Sequence, residues 1–179
     1  MKKNIIATLL VLALGSIAIS AAVNSGSSSF DVSTEVNGLS YLAVTSSAYT
    51  GQTVGEWNSF IAANGITSAV DITNSPLAYI NLVNNKRTGV NVYMYAEKMT
   101  GSESANTYVI DYEVSVNNAT YNTSTSTSNE LFVSAANSQA SEGIFFGSYP
   151  VSASVDQNSF DNAPEDTYTG TIYFTFSAT

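Results

Sequence analysis

Ala78-Tyr79-Ile80-Asn81-Leu82-Val83-Asn84 and Val90-Asn91-Val92-Tyr93-Met94-Tyr95-Ala96, joined by Asn85-Lys86-Arg87-Thr88-Gly89, form the stretch whose reading decides the fold class. Ala78, Ile80 and Leu82 share one parity, as do Val90, Val92, Met94 and Ala96. A period of two marks a strand with one face on a core. A short connection ending in glycine suits a hairpin, so the pattern predicts Asn84 opposite Val90, Leu82 opposite Val92 and Ile80 opposite Met94. Both apolar rows then face the same core. The other parity carries Tyr79, Tyr93 and Tyr95, and Lys86 and Arg87 sit at the loop tip.

Working outward, the same period recurs. Toward the C-terminus, Tyr108, Ile110, Tyr112, Val114 and Val116 predict one strand with Asp111 and Glu113 turned out. Tyr168, Ile172, Phe174, Phe176 and Ala178 predict a closing strand whose other face is Thr169, Thr171, Tyr173, Thr175 and Ser177. Residues 131–133, 144–146 and 151–155 are shorter strand candidates. Residues 117–129 are nearly all Ser, Thr and Asn, which reads as a long loop or a wholly polar edge. Toward the N-terminus, residues 39–45 read as a strand, preceded by an Asn37-Gly38 turn. Phe30, Val32, Thr34 and Val36 alternate as a first strand.

One helix is expected, near residues 54–64. Thr53 and Glu56 have capping-box spacing, in which each side chain satisfies a free backbone N–H at the helix start. Trp57, Phe60 and Ile61 form one apolar stripe, and Asn64-Gly65 suits a left-handed stop. The helix is expected to close one end of the fold, with Trp57 as a core plug. About eight or nine short strands with turn signals between them predict an all-β chain, an immunoglobulin-like two-sheet Greek-key sandwich.

Residues 1–22 have a different character. Met1-Lys2-Lys3-Asn4 is a basic start, residues 5–19 are almost wholly apolar, and Ser20-Ala21-Ala22 supplies small residues for cleavage. That is the pattern of a secretory signal peptide. Residues 23–29 then read as a Ser/Gly-rich leader and residues 30–179 as a single domain. The expected location is the periplasm, the cell surface or the medium.

Composition narrows the functions. Beyond residue 22 only Lys86, Arg87 and Lys98 stand against fourteen acids, too few cations for nucleic acid or anionic lipid. No second apolar run is long enough to span a membrane. Cysteine is absent, so neither a lipid anchor nor a disulfide framework is expected. Histidine is absent too, which removes the commonest general base and usual zinc ligand. No Gly-x-Ser-x-Gly elbow occurs. Asp111 and Glu113 share a strand face and are candidates for a glycosidase pair of carboxylates, but any solvated strand shows that alternation. A non-enzyme is expected, with no cofactor unless calcium.

Two groups of residues are candidate sites. Asp156, Asn158, Asp161, Glu165 and Asp166 crowd carboxylate and amide oxygens into one segment, as calcium requires. They lack the spacing and central glycine of an EF-hand, and a solvated acidic turn has the same composition. Tyr79, Tyr93 and Tyr95, on one outer face, suit sugar stacking or a partner contact, but packing under a neighbouring element is the simpler expectation.

The segment Ala163-Pro164-Glu165-Asp166-Thr167-Tyr168-Thr169-Gly170-Thr171-Ile172-Tyr173-Phe174-Thr175-Phe176 resembles the closing strand of exported bacterial β-sandwiches related to spore coat protein U and to pilin subunits. The stretch from Asn84 to Val92 resembles a hairpin frequent in them. Unlike most of the coat-protein group, this chain has no cysteine. The resemblance implies an immunoglobulin-like sandwich acting as a structural or adhesive surface subunit, with itself or other surface subunits as partners. It also implies strand exchange between subunits, for which Phe30, Val32 and Val36 are the candidate donor positions. The alternative expectation is a secreted carbohydrate- or calcium-dependent binding module.

Overall fold

The computed structural model describes residues 32–35, 38–86, 88–103, 105, 107–136 and 143–178. The signal peptide and leader expected over residues 1–29 lie outside the described residues, as do Phe30 and Val36. The chain divides into two compact units, Met1–Val36 and Asn37–Thr179. In the first, residues 32–35 are exposed and carry no helix or strand. The alternation at Val32 and Thr34 therefore does not make the expected strand there: an extended segment becomes a strand only when a neighbour completes its hydrogen-bond ladder.

The second unit is mostly β. Its elements are β1 (Ser40–Thr45), α1 (Val54–Asn64), β2 (Ala78–Asn84), β3 (Val90–Ala96), β4 (Met99–Gly101), β5 (Val109–Ile110) and β6 (Tyr112–Val116). They continue with β7 (Ala119–Asn122), β8 (Glu130–Ala136), β9 (Phe145–Val155), α2 (Gln157–Asp161), β10 (Tyr168–Thr169) and β11 (Ile172–Ala178). Three antiparallel sheets result, with strand orders β1-β2-β9-β6-β7, β11-β3-β8 and β10-β4-β5.

The expected β2–β3 hairpin does not form. β2 pairs with β1 and β9, whereas β3 pairs with β11 and β8. A five-residue connection can span at most about 16 Å, more than the roughly 10 Å between two packed sheets. Gly89 takes a positive φ of 79° at the end of this connection, and its N–H bonds the carbonyl of Lys86 at 3.0 Å. The apolar parity is nonetheless used as read. Ile80, Leu82, Val90, Val92 and Met94 join Val114, Val116 and Val151 in one core drawn from both large sheets. Two strands facing each other across a core need the same alternation as two lying side by side.

β2 is buried on its other face as well, because α1 lies over that face. Trp57, Tyr49 and Val83 make a second core with Phe60, Ile61 and Phe146 packed against it. The helix thus covers a sheet face; it does not close an end. Its start is as read: Thr53 Oγ1 accepts the Glu56 N–H at 3.2 Å, and Glu56 accepts the Thr53 N–H at 3.1 Å. Its stop is not left-handed. Gly65 has φ −59° and ψ 132°, and it bridges to Thr45, so the chain leaves the helix extended.

Two predicted strands break and two predicted fragments fuse. The run from Tyr108 to Val116 divides at Asp111, with β5 pairing to β4 and β6 to β7 and β9. Residues 168–178 divide at Gly170-Thr171 into β10 and β11. A Cβ at Gly170 would lie 2.9 Å from the Glu97 carbonyl oxygen, so the break needs glycine. Conversely, β9 runs through Pro150. It pairs with β2 up to Val151 and with β6 from Val151 on, so the proline sits where the strand changes partners and tolerates a missing donor. Part of the polar run is an edge strand, β7, entered through positive φ at Asn117 and Asn118, and it is not wholly polar, since Tyr121 faces the core.

Candidate binding face and groove

The outer face of the β11-β3 pair is built by register. Tyr95 lies opposite Tyr173, Tyr93 opposite Thr175, and Asn91 opposite Ser177. Their even-numbered neighbours Val90, Val92, Met94 and Ala96 are in the core, which forces these odd positions outward. The Tyr95 and Tyr173 ring centroids are 5.8 Å apart and tilted by 35°. Both rings are exposed, Tyr95 by 37% and Tyr173 by 44%. On β8, Leu131 lies opposite Tyr93 and is also exposed.

The predicted tyrosine trio does not share a face. Tyr93 and Tyr95 belong to this sheet, but Tyr79 belongs to β2 in the five-stranded sheet and pairs with Thr45 and Pro150. The separation follows from the absent hairpin. Two residues outside the trio contact Tyr95 instead, Tyr173 on the exposed face and Tyr121 from the core side. Tyr173 was visible in the sequence as the aromatic on the polar face of the closing strand. Tyr121 lay hidden in a run whose composition signals a loop.

Tyr121 meets Tyr95 edge-on, with ring centroids 5.4 Å apart at 71°. Beyond Tyr95 the surface sinks into an open groove of about 840 Å³. β3, β4 and the link between them contribute Tyr95, Glu97, Lys98 and Thr100; the β7 end contributes Tyr121, Thr123, Ser126 and Thr127; Thr169, Gly170 and Thr171 complete the wall. Lys98 is paired with Asp111 at 2.9 Å. Asp111 also accepts the Thr123 hydroxyl at 2.9 Å, while its N–H donates to Ser159 Oγ at 3.0 Å. The residue read as a simple outward carboxylate is therefore a junction tying β6, the β7 turn and α2 together.

A second, smaller cavity of about 420 Å³ lies on the other side of Gly170, between Ile72, Leu77, Met99, Tyr112 and Ile172. Burial pushes the Tyr112 phenol up to about 12, with the Glu97 and Tyr121 side chains adding to the effect.

The acidic segment is organised by hydrogen bonds. Asp156 caps α2, accepting the Ser159 N–H at 2.8 Å, and Asp161 accepts the Gln157 amide at 2.6 Å. The Asn158 side-chain oxygen accepts the Asn162 amide at 3.2 Å. Asp166 turns to the start of the β4–β5 connection, accepting from Ser102 Oγ at 2.5 Å and the Glu103 N–H at 3.1 Å. Glu165 stands exposed beside it. Among the described residues, no three acids gather into a group that could hold a metal ion. Of the donor-strand positions, Val32 is 82% exposed and Phe30 and Val36 lie outside the described residues. No helix among the described residues is long and apolar enough to cross a membrane.

No protein-family model matches the chain, and no curated protein matches it.

Proposed function

We propose that the protein is an exported, non-enzymatic structural or adhesion subunit of a cell surface or appendage, built as an immunoglobulin-like Greek-key sandwich. One observation carries this reading: the outward face of β3 and β11. In a chain with fourteen acids, Asn91, Tyr93, Tyr95, Tyr173, Thr175 and Ser177 form a face without a single charge. Tyrosines on a rigid sheet give large contact area at small entropic cost, and contact surfaces are enriched in them while charges are depleted. Val90, Val92 and Met94, fully buried beneath β3, hold the face in place. β11 also ends its sheet among the described residues. Its uncharged edge suits addition of an extended segment, and Phe30, Val32 and Val36 of a second copy are the proposed donor positions.

Fractionating the native host tests the reading. The protein is expected in the envelope or medium, with its mass starting after residue 22, and assembled forms are expected to vanish when residues 24–36 are deleted. A cytoplasmic protein of full length would contradict export. Assembly unchanged by the deletion would contradict strand exchange.

A further inference from the structure

We infer that the groove beside Tyr95 is a binding site for a neutral carbohydrate chain, with the exposed Tyr95 ring as its stacking platform. The inference rests on the proposed surface role, and it is tested on purified protein so that failure of export and failure of binding are told apart.

Three properties select this ligand class. The first is size and shape: an open groove of about 840 Å³ falls in the range of small-ligand clefts, and open ends suit a chain. The second is the lining. Thr100, Thr127, Thr169 and Thr171 are exposed around it. Each hydroxyl both donates and accepts, which matches a ligand whose own hydroxyls do the same. A purely apolar ligand would strip water from these groups without replacing its hydrogen bonds. The third is charge. Glu97 faces the groove, and Lys98 is already neutralised by Asp111. A phosphate or other anion gains no unpaired cation here and meets a carboxylate.

Tyr95 supplies what the hydroxyls lack. Sugar rings have apolar faces of C–H groups, and an aromatic ring covers such a face while its polar tip stays wet. Tyr121 fixes one edge of Tyr95, and Tyr173 flanks it on the other strand. The platform is therefore held before any ligand arrives, which lowers the ordering cost of binding.

The test is calorimetric titration of the purified protein with neutral cello-, malto-, xylo- and chito-oligosaccharides. At least one series is expected to bind. Tyr95→Ala should weaken it by about tenfold in a protein that still unfolds cooperatively, at a melting temperature lowered by the lost Tyr121 and Tyr173 contacts. Thr169→Val combined with Thr171→Val should weaken it as well, and both positions are exposed, so valine fits there without repacking. Tyr79→Ala, on the other sheet, should leave binding intact. Binding that survives Tyr95→Ala in a folded protein would overturn the assignment. Silence across all four series, or preference for charged over neutral oligosaccharides, would overturn it too.

Discussion

Asn81 donates its side-chain amide to the Thr45 hydroxyl at 2.6 Å, and both residues are completely buried between β1, β2 and the layer that holds α1. Every polar atom of the pair is used. Asn81 Oδ1 accepts the Tyr49 N–H at 2.9 Å, and Thr45 Oγ1 donates to the Ser47 carbonyl at 2.6 Å. The pair thereby fixes the loop that carries Tyr49 to Trp57, whose rings meet edge-on at 5.2 Å. Asn81→Leu should cost about 2–3 kcal/mol, because the Tyr49 N–H is left buried without a partner. Urea unfolding measures this. A loss below about 0.5 kcal/mol would show that the network contributes little beyond packing.

The helix start makes a separable prediction. Thr53→Ala removes the acceptor of the Glu56 N–H and one half of the capping box. It should cost about 1 kcal/mol, and the hydrogen-exchange protection of Trp57 and its neighbours should fall before that of β2. The Thr53 and Gln52 groups that hydrogen-bond Glu56 also hold its carboxyl below its usual range. Stability from this contact is present above the ordinary glutamate value and lost as pH falls through the lowered one.

Alkaline titration reports on Tyr112. The unfolded phenol ionises near its ordinary value of 10.0, while burial keeps the folded one neutral to about 12. The unfolded state therefore releases its proton first, and stability falls as pH rises between about 10 and about 12. Melting curves of the wild type and Tyr112→Phe should coincide below that window and separate within it, the wild type falling faster. Parallel curves would contradict the assignment.

Calcium should not shift the melting temperature. A ligand that binds only the folded state must raise it, but Asp156, Asp161 and Asp166 already accept hydrogen bonds from their own turns. Scans with millimolar calcium and with EDTA should superimpose. A calcium-dependent rise abolished by Asp166→Asn would reverse this expectation.

What could be read from sequence was local. Thr53 and Glu56 sit three positions apart, so their reciprocal capping is decided within one turn of chain. Core parity in β3 and β6, and in β11 at Ile172 and Phe174, was legible because burial of one face requires period two whatever the partner; Phe176 of the same row is exposed. Partner choice was not legible, because Leu82 and Val92 present the same pattern whether adjacent in a sheet or opposed across a core. That ambiguity put Tyr79 with Tyr93 and Tyr95. Asp111 looked like any outward strand carboxylate, since its junction role depends on Lys98, Thr123 and Ser159 meeting from distant segments. Tyr121 was missed because its neighbours are polar on an edge strand, where only one side chain in two needs to be apolar.

Under the proposed function the β3–β11 face is presented outside the cell, and the chain's lack of cysteine allows a direct measurement. Thr175 is exposed on this face and Val92 is fully buried beneath it. In Thr175→Cys and Val92→Cys each introduced thiol is the only one in the protein. Treating intact cells with a membrane-impermeant maleimide should label Thr175→Cys and leave Val92→Cys unlabelled until the protein is denatured. Labelling of Thr175→Cys that appears only after lysis would contradict the account.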